Sequence, residues 1–195
     1  MDYYRHVSPV WTGNFEIALG DEEVNLAVNQ DVIASSDTRV VVGLGATGLS
    51  CARYLRRIGL TFSVIDTRDE PPGLADFQRE FLDFPVFCGD IPAGLIESSS
   101  EVIVSPGVPL TDPVVIRAIE SGTQVIGDID LFVREAAAPV IGITGSNAKS
   151  TVTEWVGQMA RDSGINVAVG GNLGLPALDL LSPECELYVL ELSSF

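Results

Sequence analysis

Residues Arg39 to Gly48 read RVVVGLGATG: a short apolar strand, a glycine-rich turn and the opening of a helix. GLGATG, from Gly43 to Gly48, satisfies G-x-G-x-x-G in full. Gly43 permits the tight turn, Gly45 lets backbone approach a phosphate, and Gly48 lets the helix pack against the strand. Asp66 follows about 20 residues on, where an acidic group at the end of a second strand commonly binds ribose hydroxyls. Taken alone, the turn fits either an NAD or FAD site or a plain close-packed strand–helix turn.

Working outward from this turn, short apolar strands alternate with amphipathic helices. RVVVGLG is followed by helical spacing of Leu49, Ala52, Tyr54 and Leu55 within Thr47 to Ile58. TFSVID forms a second strand, Pro71 and Pro72 break the chain, and a helix is expected around Leu74 to Leu82. PVFCGD, EVIVSPG and TQVIG read as further strands, with DPVVIRAIESG as a helix stopped by glycine. Such alternation implies right-handed crossovers and a parallel sheet covered on both faces.

GDIDLFVREAAAP reads as a connector carrying a short helix, after which the alternation restarts. PVIGITG, INVAVGG and ELYVLELSSF are strands, and Thr151 to Ser163 is a helix. The expected organisation is an acidic leader over 1–36, a Rossmann-like α/β unit over 37–127, and the beginning of a second α/β unit over 128–195. About three strands, with LYVLEL as an open apolar edge, would leave that second unit unfinished.

Composition narrows the function. The chain has 195 residues, is 46% hydrophobic and carries a formal net charge of −16. That hydrophobicity suits a buried core and excludes a disordered chain. No basic face exists for nucleic acid or anionic lipid, so a polyanionic ligand must be held by backbone amides, a few chosen cations and a metal ion. Cys51, Cys88 and Cys185 are odd in number and form no C-x-x-C, which reads as reduced core thiols in a cytoplasmic protein. No apolar run reaches the ~18 residues of a membrane span. The leader, with GDEEVNLAVNQD and possible anchors Trp11 and Phe15, lacks the layout of a secretory signal and is expected to be poorly ordered.

The only lysine, Lys149, lies in ITGSNAKST between an apolar strand and a helix start. A lysine at the end of a Gly/Ser/Asn turn, followed by Ser150 and Thr151, has the makings of a phosphate cradle. Turn amides face the anion, the ammonium reaches the outer phosphates, and a hydroxyl can ligand Mg²⁺. The match to G-x-x-x-x-G-K-[ST] is imperfect, because Ala148 precedes the lysine and the leading glycine is displaced to Gly145. The plain alternative is a capped helix start. A hydride-transfer enzyme has no need of a second, lysine-bearing loop, which weighs against the dinucleotide reading of the first turn.

Taken together, GLGATGLS, IDTRDEPPGL, SPGVP, GDIDLF-REA-APVIGITGSNAKST, VGGNLGLPALDLL and ELYVLELSSF resemble the Mur ligases, most of all their D-glutamate-adding members. The likeness runs in order from about Val40 to Phe195. It implies that the first unit binds the UDP part of a substrate and the second binds ATP. On that basis Ala46 and Thr47 approach the diphosphate, Asp66, Thr67 and Arg68 sit at the uracil and ribose, and Gly107 borders the same pocket. Gly145, Ser146, Asn147, Ala148, Lys149, Ser150 and Thr151 wrap the ATP phosphates, with Lys149 as the catalytic cation. Ser150 or Thr151 and Glu191 would hold Mg²⁺, and Asn172 would contact the muramoyl-alanine end of the substrate. Bland alternatives stand beside three of these: a solvated loop pair for Arg68 and Asp69, an edge carboxylate for Glu191, and a simple Gly/Asn turn for Asn172.

The implied reaction joins D-glutamate to UDP-N-acetylmuramoyl-L-alanine through an acyl phosphate, with ATP and Mg²⁺ required and a monomer expected. Two departures from the family pattern matter. Its loop has glycine before the lysine; Ala148 is harmless here if its φ is negative, which is expected because Asn147 can take the unusual conformation. Further metal ligands and the D-glutamate site belong to family segments beyond this sequence, so the 195-residue chain is expected to be inactive alone, with its second unit less stable than its first. His6, the only histidine, lies in the leader and is no substitute. A non-catalytic UDP-substrate module and an NAD-dependent oxidoreductase are the competing readings.

Overall fold

The computed structural model describes residues 38–193; the leader read at 1–36 lies outside the described residues. The first sheet holds β1 (Arg39–Val42), β2 (Phe62–Asp66), β3 (Val86–Cys88), β4 (Glu101–Val104) and β5 (Gln124–Gly127). All pairings are parallel and the spatial order is β3-β2-β1-β4-β5. Helices α1 (Ala46–Arg57), α2 (Leu74–Glu80) and α3 (Pro113–Glu120) join β1 to β2, β2 to β3 and β4 to β5, while β3 crosses to β4 through turns alone. This is the doubly wound, Rossmann-like arrangement, and the chain's winding reverses between β1 and β4.

The sequence explains why β1 is central. Val40, Val41 and Val42 are all buried, Val41 within one apolar cluster and its two neighbours within the other. A strand apolar on both faces is stable only with helices above and below it. On one side lie Cys51, Ala52 and Leu55 of α1; on the other lie Val114, Val115 and Ala118 of α3. Each large side chain so buried contributes about 2 kcal/mol. Asp112 caps α3 by accepting from the Val114 amide at 2.9 Å, one position before Pro113 at N1.

Helix α4 (Asp128–Glu135) leads to a second sheet of β6 (Val140–Ile143), β7 (Val167–Gly171) and β8 (Leu187–Glu191), with α5 (Lys149–Asp162) between β6 and β7. The connector read as carrying a short helix therefore holds α4. A 3-10 turn at Ala177–Leu180 precedes β8.

One expectation fails here. LYVLEL is not an open edge: β8 is the middle strand, paired in parallel with β6 on one side and β7 on the other. Tyr188, Val189 and Leu190 are buried, while Val140 and Ile141 of β6 are 39% and 40% exposed. The last strand in sequence has slipped between the two earlier ones. A run apolar on both faces belongs in the middle of a parallel sheet, not at its rim.

The apolar core is continuous between the sheets. Leu131 and Phe132 of α4, Ala177, Leu178 and Tyr188 join the cluster containing Cys51, Tyr54 and Leu55. Phe132 meets Tyr188 edge-on, with ring centroids 4.9 Å apart. Arg134 of α4 returns to the first sheet through a bidentate pair with buried Glu101, at 2.8 and 3.2 Å. The three cysteines are free thiols, but only Cys51 is fully buried, Cys88 and Cys185 being partly exposed; Cys51 is pushed up in pKa by burial and then by the Asp128 and Asp179 carboxylates, so it stays protonated.

Candidate functional site

The first site lies where the winding reverses, beyond the carboxyl ends of β1, β2 and β4. Gly43 takes φ +95°, and Gly48 is so close to it that any Cβ there would collide with the Gly43 carbonyl oxygen. Around Gly45, by contrast, nothing lies within 4 Å of where a Cβ would be, so the turn's outer face is open to a ligand. Gly45 also caps α1 without a side-chain hydrogen bond, leaving the first-turn amides to an anion or to water.

A cavity of about 420 Å³ opens onto this turn, lined by Ala46, Thr47, Asp66, Thr67, Arg68 and Gly107 among others. All six first-unit residues singled out in the sequence thus share one cavity. Asp66 is buried, and its carboxylate is already engaged on every side. Oδ2 accepts from the Leu44 amide at 2.7 Å and from the Arg68 guanidinium at 2.7 Å. Oδ1 accepts from the Arg68 amide at 3.0 Å and from its Nε at 2.8 Å. Burial alone would raise the Asp66 pKa, but these bonds, led by the Arg68 side chain and then the Leu44 amide, hold it below the usual carboxylate range. Arg68 is therefore no solvated partner of Asp69; it pairs with Asp66 across the cavity wall.

Sequence reasoning missed Ser105, Pro72, Val108 and Asp112, which line the same cavity. Ser105 Oγ donates to the Gly43 carbonyl at 3.1 Å and so ties the β4 loop to the glycine turn. The only available signal was its place in the Ser-Pro-Gly turn.

The second site lies at the carboxyl end of β8. Ala148 adopts φ 58°, ψ 13°, the only left-handed conformation of a non-glycine among the described residues. This reverses the expectation that Asn147 would take the unusual conformation. The residue immediately before Lys149 must turn the chain into α5, so the constraint falls on Ala148. Helix α5 begins at Lys149, two residues earlier than expected, with no side-chain cap.

Lys149 Nζ donates to the Gly145 carbonyl at 2.9 Å, across the mouth of its own loop. Ser150 Oγ donates to Glu191 Oε2 at 2.7 Å, so these two metal-ligand candidates meet, whereas Thr151 is exposed on the next helical position. Ser146 and Asn147 are also exposed at the loop surface. Asn172 stands beside this second site, its amide donating to the Glu191 carbonyl at 2.9 Å, and not in the first cavity. Among the described residues no cluster of three His, Cys, Asp or Glu could hold a metal by itself. Ser150 and Glu191 provide two hard oxygen donors; Mg²⁺ characteristically takes few protein ligands and completes its shell with phosphate and water.

Residues 37–127 match the family described as Mur ligase MurD-like, N-terminal domain. This stretch is a Mur ligase MurD-like domain. It contains every residue of the first cavity named above. The chain is 55% identical over 164 residues to the UDP-N-acetylmuramoylalanine–D-glutamate ligase of Pseudomonas aeruginosa, covering 84% of this chain and 37% of that protein. Identity to the same-named ligase of Hahella chejuensis is 52% over 164 residues, covering 84% and 36% respectively. The chain thus spans little more than a third of the length of the curated relatives it matches. A solved UDP-N-acetylmuramate:L-alanyl-gamma-D-glutamyl-meso-diaminopimelate ligase from Neisseria meningitides is 18% identical, with a TM-score of 0.50 over 80% of this chain and 52% of that one; this is a likeness of fold. Among the described residues no helix is long and apolar enough to cross a membrane.

Proposed function

We propose that the MurD-like domain binds the UDP portion of UDP-N-acetylmuramoyl-L-alanine and that residues 128–195 begin an ATP-binding unit, the two serving a cytoplasmic D-glutamate-adding ligase of peptidoglycan synthesis. The observation that carries this reading is the pairing of two anion cradles on separate sheets, the second with a lysine and a Ser150–Glu191 oxygen pair. Oxidoreductase chemistry has no use for the second.

In the first cavity the amides at Ala46 and Thr47 face the diphosphate, on the positive end of α1. Thr67 and the Arg68 guanidinium flank the nucleoside, while Asp66 holds the glycine turn through Leu44 and orients Arg68. This assigns Asp66 to positioning, since its lone pairs are taken up within the protein. In the second site, Lys149 exchanges the Gly145 carbonyl for the outer phosphates of ATP. Ser150 and Glu191 would hold Mg²⁺, which neutralises phosphate charge when bound. The substrate's terminal carboxylate must approach a triphosphate, so two anions meet; Lys149 lowers that repulsion. Phosphoryl transfer gives an acyl phosphate and ADP, and the D-glutamate amine then displaces phosphate at the acyl carbon.

Calorimetric titration of the purified chain with UDP-N-acetylmuramoyl-L-alanine, ATP and NADH tests this. The first two are expected to bind at independent sites and NADH not to bind. NADH binding without a response to the UDP compound would overturn the proposal.

A further inference from the structure

We infer that Asp179, in the connection between β7 and β8, is a positioning residue that ties the Asn172 segment to α1 and so sets the reach between the two ends of one extended substrate. This rests on the proposed function, in which the diphosphate lies at Ala46 and Thr47, and on the placement of the muramoyl-alanine end at Asn172 that the family resemblance implies.

Residues 172–180 are anchored at both ends. At the first, the Asn172 amide donates to the Glu191 carbonyl at 2.9 Å and the Gly171 amide donates to the Leu175 carbonyl at 2.8 Å, a tight turn against the end of β8. At the second, Ala177 and Leu178 are buried in the apolar cluster that holds Cys51, Tyr54 and Leu55 of α1. There Asp179 Oδ1 accepts from Ser50 Oγ at 2.8 Å, and its Oδ2 lies 3.9 Å from Arg53 Nη1. Ser50 is 1% exposed, so its hydroxyl needs a protein partner, and Asp179 is that partner. Arg53 is held in turn by a bidentate pair with Glu80, at 2.8 and 2.7 Å. One guanidinium therefore joins α1, α2 and the turn.

The helix makes this anchor consequential. Ser50 lies about one turn beyond Ala46 along α1, and Arg53 about two. The amides that face the first cavity and the side chains that grip Asp179 thus share one short rigid rod. A ligand held at the start of α1 and again at Asn172 spans two points whose separation Asp179 fixes. Loosening the anchor leaves the near contact intact and misplaces the far one. A purely structural staple would weaken both ends alike.

The test titrates UDP and UDP-N-acetylmuramoyl-L-alanine separately into the full 195-residue chain and its variants Asp179→Ala, Asp179→Asn and Ser50→Ala. UDP affinity is expected to stay within about twofold throughout, while Asp179→Ala and Ser50→Ala lose about tenfold for the longer ligand, the size of a hydrogen bond to a charged group. Asp179→Asn should recover most of that loss, because its amide oxygen still accepts from Ser50. Should Asp179→Ala fail to fold, Ser50→Ala, which removes only the donor, carries the test. Unchanged affinity for the longer ligand, an equal loss for both ligands, or a wild-type chain that binds UDP and the longer ligand equally well would each overturn the inference. A wild-type chain that binds neither ligand refutes the proposed function itself.

Discussion

Replacing Ala148 by glycine should stabilise the chain. Ala148 holds φ 58° and ψ 13°, a conformation that places an L-residue's Cβ too near the following carbonyl and costs about 1–2 kcal/mol. Glycine escapes this penalty but gives up about 0.5–1 kcal/mol in added freedom of the unfolded chain. The balance favours Ala148→Gly by about 0.5–1 kcal/mol, or roughly 2 °C in melting temperature for a domain of this size. Thermal unfolding followed by circular dichroism reads this directly. Ala148→Val provides the contrast: β-branching narrows the backbone further and should lower the melting temperature. A melting temperature lowered by Ala148→Gly, or one raised by Ala148→Val, would refute the reasoning, since either requires a negative φ at this position.

Lys149→Ala should weaken ATP binding at least about tenfold while leaving the affinity for UDP itself unchanged, because the glycine turn and the lysine loop lie on different sheets; loss of UDP affinity in calorimetry would show the sites misassigned. Gly48→Ala forces a Cβ onto the Gly43 carbonyl and should destabilise by about 3 kcal/mol or more, read as a lower urea midpoint. Hydrogen exchange should protect the amides of Val189 and Leu190 in the middle strand more than those of Ile141 and Gly142 at the rim; the reverse order would contradict the strand order of the second sheet. The Asp66 pKa is depressed by its partners, so its contribution to stability is present above the unfolded value near 4 and is lost as pH falls through the lower folded value. Asp66→Asn should flatten that acid limb in pH-dependent unfolding, and an unchanged limb would mean the Arg68 pair contributes nothing.

What could be read in the sequence and what could not divide along a physical line. The glycine turn, the strand–helix alternation and the lysine loop are local patterns, and local sterics fix them: Gly48 must be glycine whatever surrounds it. Strand order is different. The apolar character of LYVLEL on both faces favours the middle of a sheet, but reading the second unit as unfinished put the strand at the rim. Ala148 shows the same limit at one residue, because asparagine tolerates the left-handed region better, yet the direction of α5 requires it at the next position. The spacing of Asp66 was legible and its role was not, since the spacing is equally compatible with a ribose ligand and with a carboxylate consumed by Leu44 and Arg68. Ser105 and Asp179 were invisible for a simpler reason. Their partners, Gly43 and Ser50, are 62 and 129 residues away, so each becomes meaningful only when the sheets bring those partners within hydrogen-bond distance. Both tie a ligand-facing turn or helix to an element remote in sequence. The residues that would touch a substrate were thus largely those with local signatures, and the residues that aim them were those without.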